Sequence, residues 1–319
     1  MPPSTSTSEA VRGLREAHYN ATIVDVRRLH DELTILRVEP DAEPLVYEPG
    51  QYTTLGLGSW EPRVAGCQPE DPAEGDHLEL VKRAYSISSR LINDQGELVR
   101  PGTERVLEFY VSLVRQATPH PPPLTPRLFA LEPGNRLFVG PKAHGRYTHA
   151  GVAEDDDVLF AATGTGEAPH NAMIAELLAR GHRGRIASIV CVRFRKDLGY
   201  LAEHRELERR FDRFRYVPLT TREGENVDAS RADFVGKLYV QDLFASPDFE
   251  ERTGIALLPE RTHVFLCGNP DMIGAPVHPR DSLRRFAAER GMVELLEKRG
   301  FTVDAPPHQP GNVHFEKYW

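Results

Sequence analysis

Cys267 stands at the tip of an apolar run, His263-Val264-Phe265-Leu266, and opens the turn Cys267-Gly268-Asn269-Pro270-Asp271-Met272. A second run, Val158-Leu159-Phe160-Ala161-Ala162, leads into Thr163-Gly164-Thr165-Gly166-Glu167-Ala168-Pro169. Each is an apolar strand, a tight turn and a helix start, the arrangement by which open parallel sheets bind ligands beyond their strand C-termini. The glycines of the first turn let bare backbone N–H groups of Thr163, Gly164, Thr165 and Gly166 approach a phosphate. The second turn puts a thiol where a ring bound across the sheet edge would lie, with Gly268 beside it. Glu167 at the helix start suits the helix dipole. A carboxylate near a pyrophosphate is unfavourable, however, so Glu167 receives no role.

Basic side chains follow the later strands: Arg193, Arg195 and Lys196 after 187–194, Arg222 after Pro218-Leu219-Thr220-Thr221, and Lys237 before Leu238-Tyr239. A guanidinium fork matches the 2′-phosphate that separates NADP from NAD. An NAD site would place an acid at the end of the second strand. That end reads Arg193-Phe194-Arg195, and Asp197 comes only after the basic run. The pattern predicts NADP, with Arg193 and Arg222 as main contacts and Lys237 beside them. Earlier in the chain, Thr125 is placed to N-cap a short helix with Pro126 at its first position, a start whose N–H groups suit a diphosphate.

Four segments in order, Arg83-Ala84-Tyr85-Ser86, the G-T-G-x-A-P turn, the C-G-N-P turn and the aromatic end Glu316-Lys317-Tyr318-Trp319, resemble the ferredoxin–NADP⁺ reductase family. The likeness covers nearly all of residues 17–319 and looks closest to bacterial members ending in Tyr-Trp. It implies an FAD-dependent oxidoreductase exchanging hydride with NADP(H) and single electrons with ferredoxin or flavodoxin. Arg83 would pair with the flavin diphosphate, Tyr85 stack on the ring, and Ser86 lie near the hydride-exchanging nitrogen. Tyr110, Val111 and Ser112 would line the ring and ribityl chain, and Leu124 and Thr125 contact the diphosphate. Cys267 would flank the nicotinamide, and Glu316 would tune or relay protons. Tyr318 would stack on the flavin opposite Tyr85, with Trp319 reaching the adenine. Ser86, Cys267 and Glu316 are thus the expected catalytic set. A free-flavin or ferric-chelate reductase, or a non-catalytic electron-transfer subunit, is the alternative.

These residues need a scaffold of two parts. A chain of 319 residues holds about two domains. Tyr19–Val26, Leu33–Val38, 51–57, Val106–Val114 and Arg136–Val139 alternate as strands, which with the resemblance predicts an antiparallel β-barrel over 17–150 for FAD. Residues 1–16 read as a disordered leader and 59–80 as a loop insertion. From 151 the rhythm changes to strands near 157–162, 187–194, 214–219 and 263–267. With helices over Ala172–Arg180 and Ala202–Phe211 between them, a parallel α/β domain over 151–319 is expected, its tail covering the flavin. Arg284–Arg290 and Met292–Lys298 look helical.

Composition excludes several classes. The net charge of −8 argues against bulk nucleic-acid binding. An acidic carrier protein would therefore need a local basic rim, for which Lys82, Arg83, Arg90, Arg115, Arg127 and Lys142 are available. Cys67, Cys191 and Cys267 are too scattered for a disulfide framework, a zinc site or an iron–sulfur cluster. That points to a reducing, cytoplasmic setting with no metal. No window approaches the ~18 apolar residues of a membrane span, and a monomer is expected.

Overall fold

The computed structural model describes residues 5–70, 78–277, 285–286, 290–304 and 310–318. The chain divides into two compact units, residues 1–89 with 101–146, and residues 90–100 with 147–319.

In the first unit, α1 (Thr5–His18) precedes β1 (Ala21–His30), β2 (Leu33–Pro40), β3 (Tyr52–Gly58), β4 (Leu80–Ser86) and β5 (Leu107–Ser112), followed by α2 (Thr125–Leu128) and β6 (Arg136–Val139). The six strands form one antiparallel sheet in the order β4-β3-β6-β1-β2-β5. An antiparallel bridge from Ser88 to Glu108 links the segment after β4 to β5, joining the two edges. Inward positions of the alternating strands, among them Ile23, Leu36, Val38, Leu55, Leu57, Phe109, Val111 and Leu137, make a single apolar core.

Residues 1–16 are expected as a disordered leader, but from Thr5 the chain is helical, and the helix runs on to His18. Its last turn is held because Arg15 donates to both oxygens of Glu61, at 2.9 and 2.7 Å, and the Tyr19 hydroxyl donates to Glu61 at 2.9 Å. The loop that carries Glu61, expected as an insertion, is itself anchored. Val64 N–H donates to the Pro126 carbonyl at 3.0 Å, and Arg63 reaches the Pro122 carbonyl at 3.1 Å.

The second unit carries β7 (Asp157–Thr163), α3 (Glu167–Ala179), β8 (Ile186–Val192), α4 (Leu201–Arg210), β9 (Phe214–Thr220), α5 (Gly224–Val227), α6 (Val240–Ala245), α7 (Phe249–Thr253), β10 (Thr262–Gly268), α8 (Pro270–Ile273), β11 (Pro276–Val277), β12 (Arg285–Phe286), α9 (Met292–Glu297) and β13 (Val313–Lys317). Five strands form a parallel sheet in the order β13-β10-β7-β8-β9. The chain winds outward from β7 to β9 and then returns to the other side of β7 as β10. The switch point therefore lies between β7 and β10, where such sheets hold ligands.

The strand alternation gives the sheet two unlike faces. Leu159, Ala161, Ile189, Val217, Val264, Leu266 and Val313 face an apolar layer from α6 to α9, with Leu243, Phe244, Ile273 and Leu296 buried in it. Truncating such a leucine to alanine costs about 2–5 kcal/mol. Phe160, Ser188, Tyr216, Phe265 and His314 point to the opposite face. There α3 and α4 add buried Glu167, His170, Asn171 and His204.

Part of the expected helix Arg284–Arg290 is different: Arg285 and Phe286 form β12, paired antiparallel with β11. Pro276 sets the extended φ of its partner strand. Residues 284 and 287–289 lie outside the described residues, as do 305–309 in the approach to β13.

Candidate functional site

The two βα turns are stitched together at the switch point. Ala162 and Cys267 are register partners, and the N–H of Asn269 donates to the Thr163 hydroxyl at 2.8 Å. Gly268, at φ +119°, lies so close that a Cβ there would sit 2.3 Å from Thr163 Oγ1 and 2.7 Å from its carbonyl oxygen. A Cβ on Gly166 would meet the Cys267 carbonyl oxygen at 2.5 Å. These two glycines allow the turns to touch. Gly164 differs: at φ +53° its side is open, and a Cβ there would meet nothing within 4 Å. Bare backbone beside open space, at the start of a buried helix, fits a phosphate.

Glu167 does not face that space. It is fully buried and turns under the sheet, where Oε1 accepts from the Tyr216 hydroxyl at 3.0 Å and lies 3.1 Å from His204 Nε2. The same His204 nitrogen is 3.0 Å from Asn171 Oδ1, and the His204 ring stacks on Tyr216 with centroids 4.2 Å apart. The carboxylate that looked unfavourable near a pyrophosphate is thus directed away from it and serves to clamp α3 to α4 and β9.

Beyond β8 and β9 the chain ends are joined, since the Arg222 and Thr221 N–H groups donate to the Arg193 carbonyl at 2.8 and 3.3 Å. Both Arg193 and Arg222 are exposed, and among the described residues no carboxylate pairs with either. Arg195 is spoken for: its guanidinium pairs with Glu225 at 2.9 Å and its N–H donates to Glu223 at 2.6 Å. Arg195 thus takes up the charge of Glu225, while the guanidinium forks of Arg193 and Arg222 stay exposed. Lys237 is exposed on the segment before α6.

Cys267 is fully buried, and burial pushes its thiol well up, with the Glu316 charge adding and a Tyr318 hydrogen bond opposing. It is a neutral thiol and no thiolate nucleophile. Glu316 is its register partner on β13, and the Tyr318 N–H continues the ladder to the Gly268 carbonyl at 3.2 Å. Trp319 lies outside the described residues.

In the first unit, Arg83 and Tyr85 share one face of β4, paired across to Leu55 and Thr53 of β3. Arg83 is exposed, and its guanidinium donates to the neighbouring Lys82 carbonyl at 2.7 Å, a cation with no carboxylate partner among the described residues. Tyr85 packs partly on the core, and burial raises its phenol. Ser86 is buried at the strand end. On β5, Tyr110 and Val111 are buried and Ser112 is exposed. Val111 belongs to the core, so only its backbone can meet a ligand.

The start of α2 departs from expectation. Leu124 is the N-cap and no side chain caps the helix. The Thr125 hydroxyl instead accepts from the Val114 N–H at 3.1 Å, because the loop after β5 runs alongside it. The Thr125 N–H remains a donor; Pro126 has none, and the Arg127 N–H is used by the Leu124 carbonyl.

The expected basic rim also thins. Arg127 is 2 % exposed, with Glu70 at 2.7 Å on both its terminal nitrogens and the Ser59 carbonyl at 2.7 Å. Arg115 pairs with Glu32 at 3.0 Å, and Arg90 pairs with Asp94 at 2.9 Å in the other unit. Lys82, Arg83 and Lys142 remain exposed. Sequence reasoning missed the buried pair Tyr147 and His170, joined at 2.7 Å. Its only signal was a histidine where an apolar residue would suffice in the first turns of α3. Among the described residues no group of His, Cys, Asp and Glu is placed to hold a metal, and no helix is long and apolar enough to cross a membrane.

Comparison with known proteins agrees with this geometry. Residues 160–277 match the oxidoreductase NAD-binding domain family. The chain is 23 % identical over 300 residues to a flavodoxin/ferredoxin–NADP reductase of Buchnera aphidicola, covering 94 % of this chain and 98 % of that one. It is 29 % identical over 257 residues to ferredoxin–NADP reductase B of Sorangium cellulosum, covering 80 % and 88 %. Among solved structures, a ferredoxin NADP⁺ reductase of Neisseria gonorrhoeae with bound FAD and NADP superposes with a TM-score of 0.66 at 20 % identity, covering 93 % of this chain and 97 % of that one.

Proposed function

The chain belongs to the ferredoxin–NADP⁺ reductase family, and from that premise we propose that it is an FAD-dependent oxidoreductase moving electrons between NADP(H) and ferredoxin or flavodoxin. The observation that carries this reading is the pair of stitched turns at the sheet switch point, with a buried thiol and a carboxylate as register partners beside open phosphate-sized backbone. When bound, FAD exchanges a hydride with nicotinamide and passes electrons singly to the carrier.

The residues of this chain supply binding and orientation. Arg83 and the Thr125 N–H hold the flavin diphosphate, with Leu124 as backbone contact. Tyr85 covers the ring, Ser86 keeps the reacting edge small and polar, and Tyr110, Val111 and Ser112 line the ring and ribityl chain. Thr163, Gly164, Thr165 and Gly166 cradle the nicotinamide pyrophosphate. Arg193 and Arg222, with Lys237, take the 2′-phosphate and so select NADP(H). Cys267 and Gly268 bound the nicotinamide pocket. Glu316 holds or releases a proton at its carboxylate, and Tyr318 with Trp319 covers the flavin until nicotinamide displaces it.

Residues 17–150 hold FAD and 151–319 hold NADP(H). Lys82, Arg83 and Lys142 form the basic surface that meets an acidic carrier, transiently and electrostatically. The enzyme works as a cytoplasmic monomer.

Two measurements test this. The purified protein should show flavin absorbance and, with NADPH, reduce cytochrome c faster when ferredoxin or flavodoxin is added. A protein that retains no FAD after refolding with excess, or whose rate ignores both carriers, overturns the reading.

A further inference from the structure

The end of the parallel sheet away from the stitched turns gathers cationic side chains. Beside the first residues of β8 and β9, Arg185, Asp212, Arg213, Arg215, Thr253 and Gly254 line a cleft of about 320 Å³. That volume lies at the small end of the range for ligand pockets, about 300–1,000 Å³, and suits a small molecule.

Strand alternation puts the arginines there. Phe214 and Tyr216 pack against the His204 ring of α4, so Arg213 and Arg215 fall on the opposite face, in line with Val217 of the apolar layer. The β8–β9 register sets Ile186 against Phe214, which brings Arg185, one residue earlier, to the same strand end. On that face α7 stops. Gly254 is its left-handed cap at φ +73°, and the Gly254 carbonyl accepts from the Arg185 guanidinium.

All three guanidiniums are exposed, and each is anchored by backbone oxygens alone. Arg185 Nη1 donates to the Gly254 carbonyl and Arg213 Nη1 to the Arg183 carbonyl, while Arg215 Nη1 donates to the carbonyls of Asp212 and Phe214 at 3.0 and 2.9 Å. Such anchors orient a fork without neutralising it. The Nε and Nη2 groups of all three make no hydrogen bond to the protein among the described residues. Neighbouring arginines differ: Arg183 pairs with Glu154 at 3.0 Å, and Arg261 lies 3.6 Å from Asp157. Arg183 also takes both oxygens of Asp155, at 2.8 and 2.9 Å, so Arg213 acts on that carboxylate only through space. Asp212 is the one carboxylate among the lining residues. Three guanidiniums against it leave two positive charges in excess, in a chain whose net charge is −8.

We propose that this cleft binds a small anion through a doubly charged phosphate group, at a site separate from the nucleotide turns. The two excess charges match a phosphate dianion, and guanidinium forks fit its oxygens in pairs. The seven-residue strands β8 and β9 span roughly 20 Å, about twice the screening length of physiological salt. Arg193 and Arg222 lie beyond their other ends, so both sites can be filled at once. This site goes beyond the reductase reading and stands on its own geometry.

Calorimetric titration of the FAD-bound full-length protein with inorganic phosphate, pyrophosphate and glycerol 2-phosphate tests this, at physiological salt and with NADP⁺ saturating the nucleotide site. One site per chain is expected. Its affinity should fall about tenfold in each of Arg213→Gln and Arg215→Gln and stay unchanged in Arg193→Ala. Asp212→Asn should tighten binding several-fold by removing the opposing charge, a gain that a misfolded variant cannot produce. Tighter binding of pyrophosphate than of glycerol 2-phosphate identifies a free polyphosphate as the ligand, and the reverse order a phosphate monoester. No saturable binding of any of the three overturns the proposal, as does an affinity untouched by both glutamine variants. Citrate binding more tightly than all three overturns the phosphate assignment. A wild type that binds no NADP⁺ counts against the functional reading alone, and the same variants then decide this site.

Discussion

Cys267 and Glu316 are register partners on adjacent parallel strands, so a neutral thiol and a carboxylate stand side by side at the end of the sheet. The pairing follows from topology. β13 comes last in the chain and adds to the free edge of β10, which brings a residue near the C-terminus to the strand end that the C-G-N-P turn exposes. The glycine after Cys267 lets the neighbouring Thr163–Gly166 turn press against the same point. One corner thereby gathers the thiol, the carboxylate and the Thr163–Gly166 turn from three distant parts of the sequence.

The proposed nicotinamide specificity rests on Arg193 and Arg222, whose backbones are joined and whose guanidiniums are exposed without carboxylate partners among the described residues. Each charge-assisted contact to a 2′-phosphate is worth about 1.5–3 kcal/mol. Arg193→Ala and Arg222→Ala should each lower kcat/KM for NADPH by roughly ten- to hundredfold, with NADH little changed. Steady-state kinetics with both nucleotides checks this. A preserved preference in both variants would move the 2′-phosphate site elsewhere.

The two glycines of the turns should respond in opposite ways. Gly268→Ala drives a methyl into Thr163 at a φ of +119°, and should cost about 3 kcal/mol of stability. Gly164→Ala meets nothing within the protein and should cost about 1 kcal/mol for its left-handed backbone, yet its methyl occupies the space proposed for pyrophosphate. Thermal melts and NADP⁺ titrations of both variants separate the effects: the first should lose mainly melting temperature, the second mainly affinity.

How far the sequence carried this structure depends on the range of the interaction concerned. The strands β7 to β10 and both turns were legible because apolar runs and glycine turns are local signals. Arg193 and Arg222 were legible as the ends of such runs. The fate of Glu167 was not, because its partners His204 and Tyr216 lie on other elements and only packing brings them together. The same holds for Arg127, read as surface charge but buried against Glu70 from a loop far back in the chain. Thr125 had the right residue type for a cap and the right proline after it, and the backbone of Val114 claimed its hydroxyl first.

The Arg127–Glu70 pair predicts a pH effect with a definite sign. The Arg127 guanidinium holds the Glu70 carboxyl below its ordinary range, with burial opposing and Arg63 adding. A depressed folded-state pKa stabilises above the unfolded value of about 4.3 and ceases to as pH falls through the folded one. Glu70→Gln leaves Arg127 buried without its counter-charge and should cost about 3 kcal/mol at neutral pH, the low end for a buried pair because Glu70 is partly exposed. Denaturant unfolding of wild type and variant should show that gap constant from pH 7 to 5 and closing below it. A gap that widens with acid would mean the pair does not stabilise the first unit.

Tyr318 is proposed to cover the flavin where nicotinamide must go, and its side chain also bonds the Cys267 thiol. A lid of this kind lowers the apparent affinity for nicotinamide by the fraction of time it is closed. Aromatic stacking contributes roughly 0.5–1.5 kcal/mol beyond burial, so removing the ring should raise NADP⁺ affinity about two- to tenfold while loosening FAD. NADPH gains from its 2′-phosphate when it displaces the lid and NADH does not, so Tyr318→Ser should also narrow the preference between them by raising activity with NADH. Titration with NADP⁺ followed by flavin difference spectra, alongside kinetics with both nucleotides, measures each effect. Unchanged or weaker NADP⁺ binding in Tyr318→Ser would show that the tail only packs against the sheet and gates nothing.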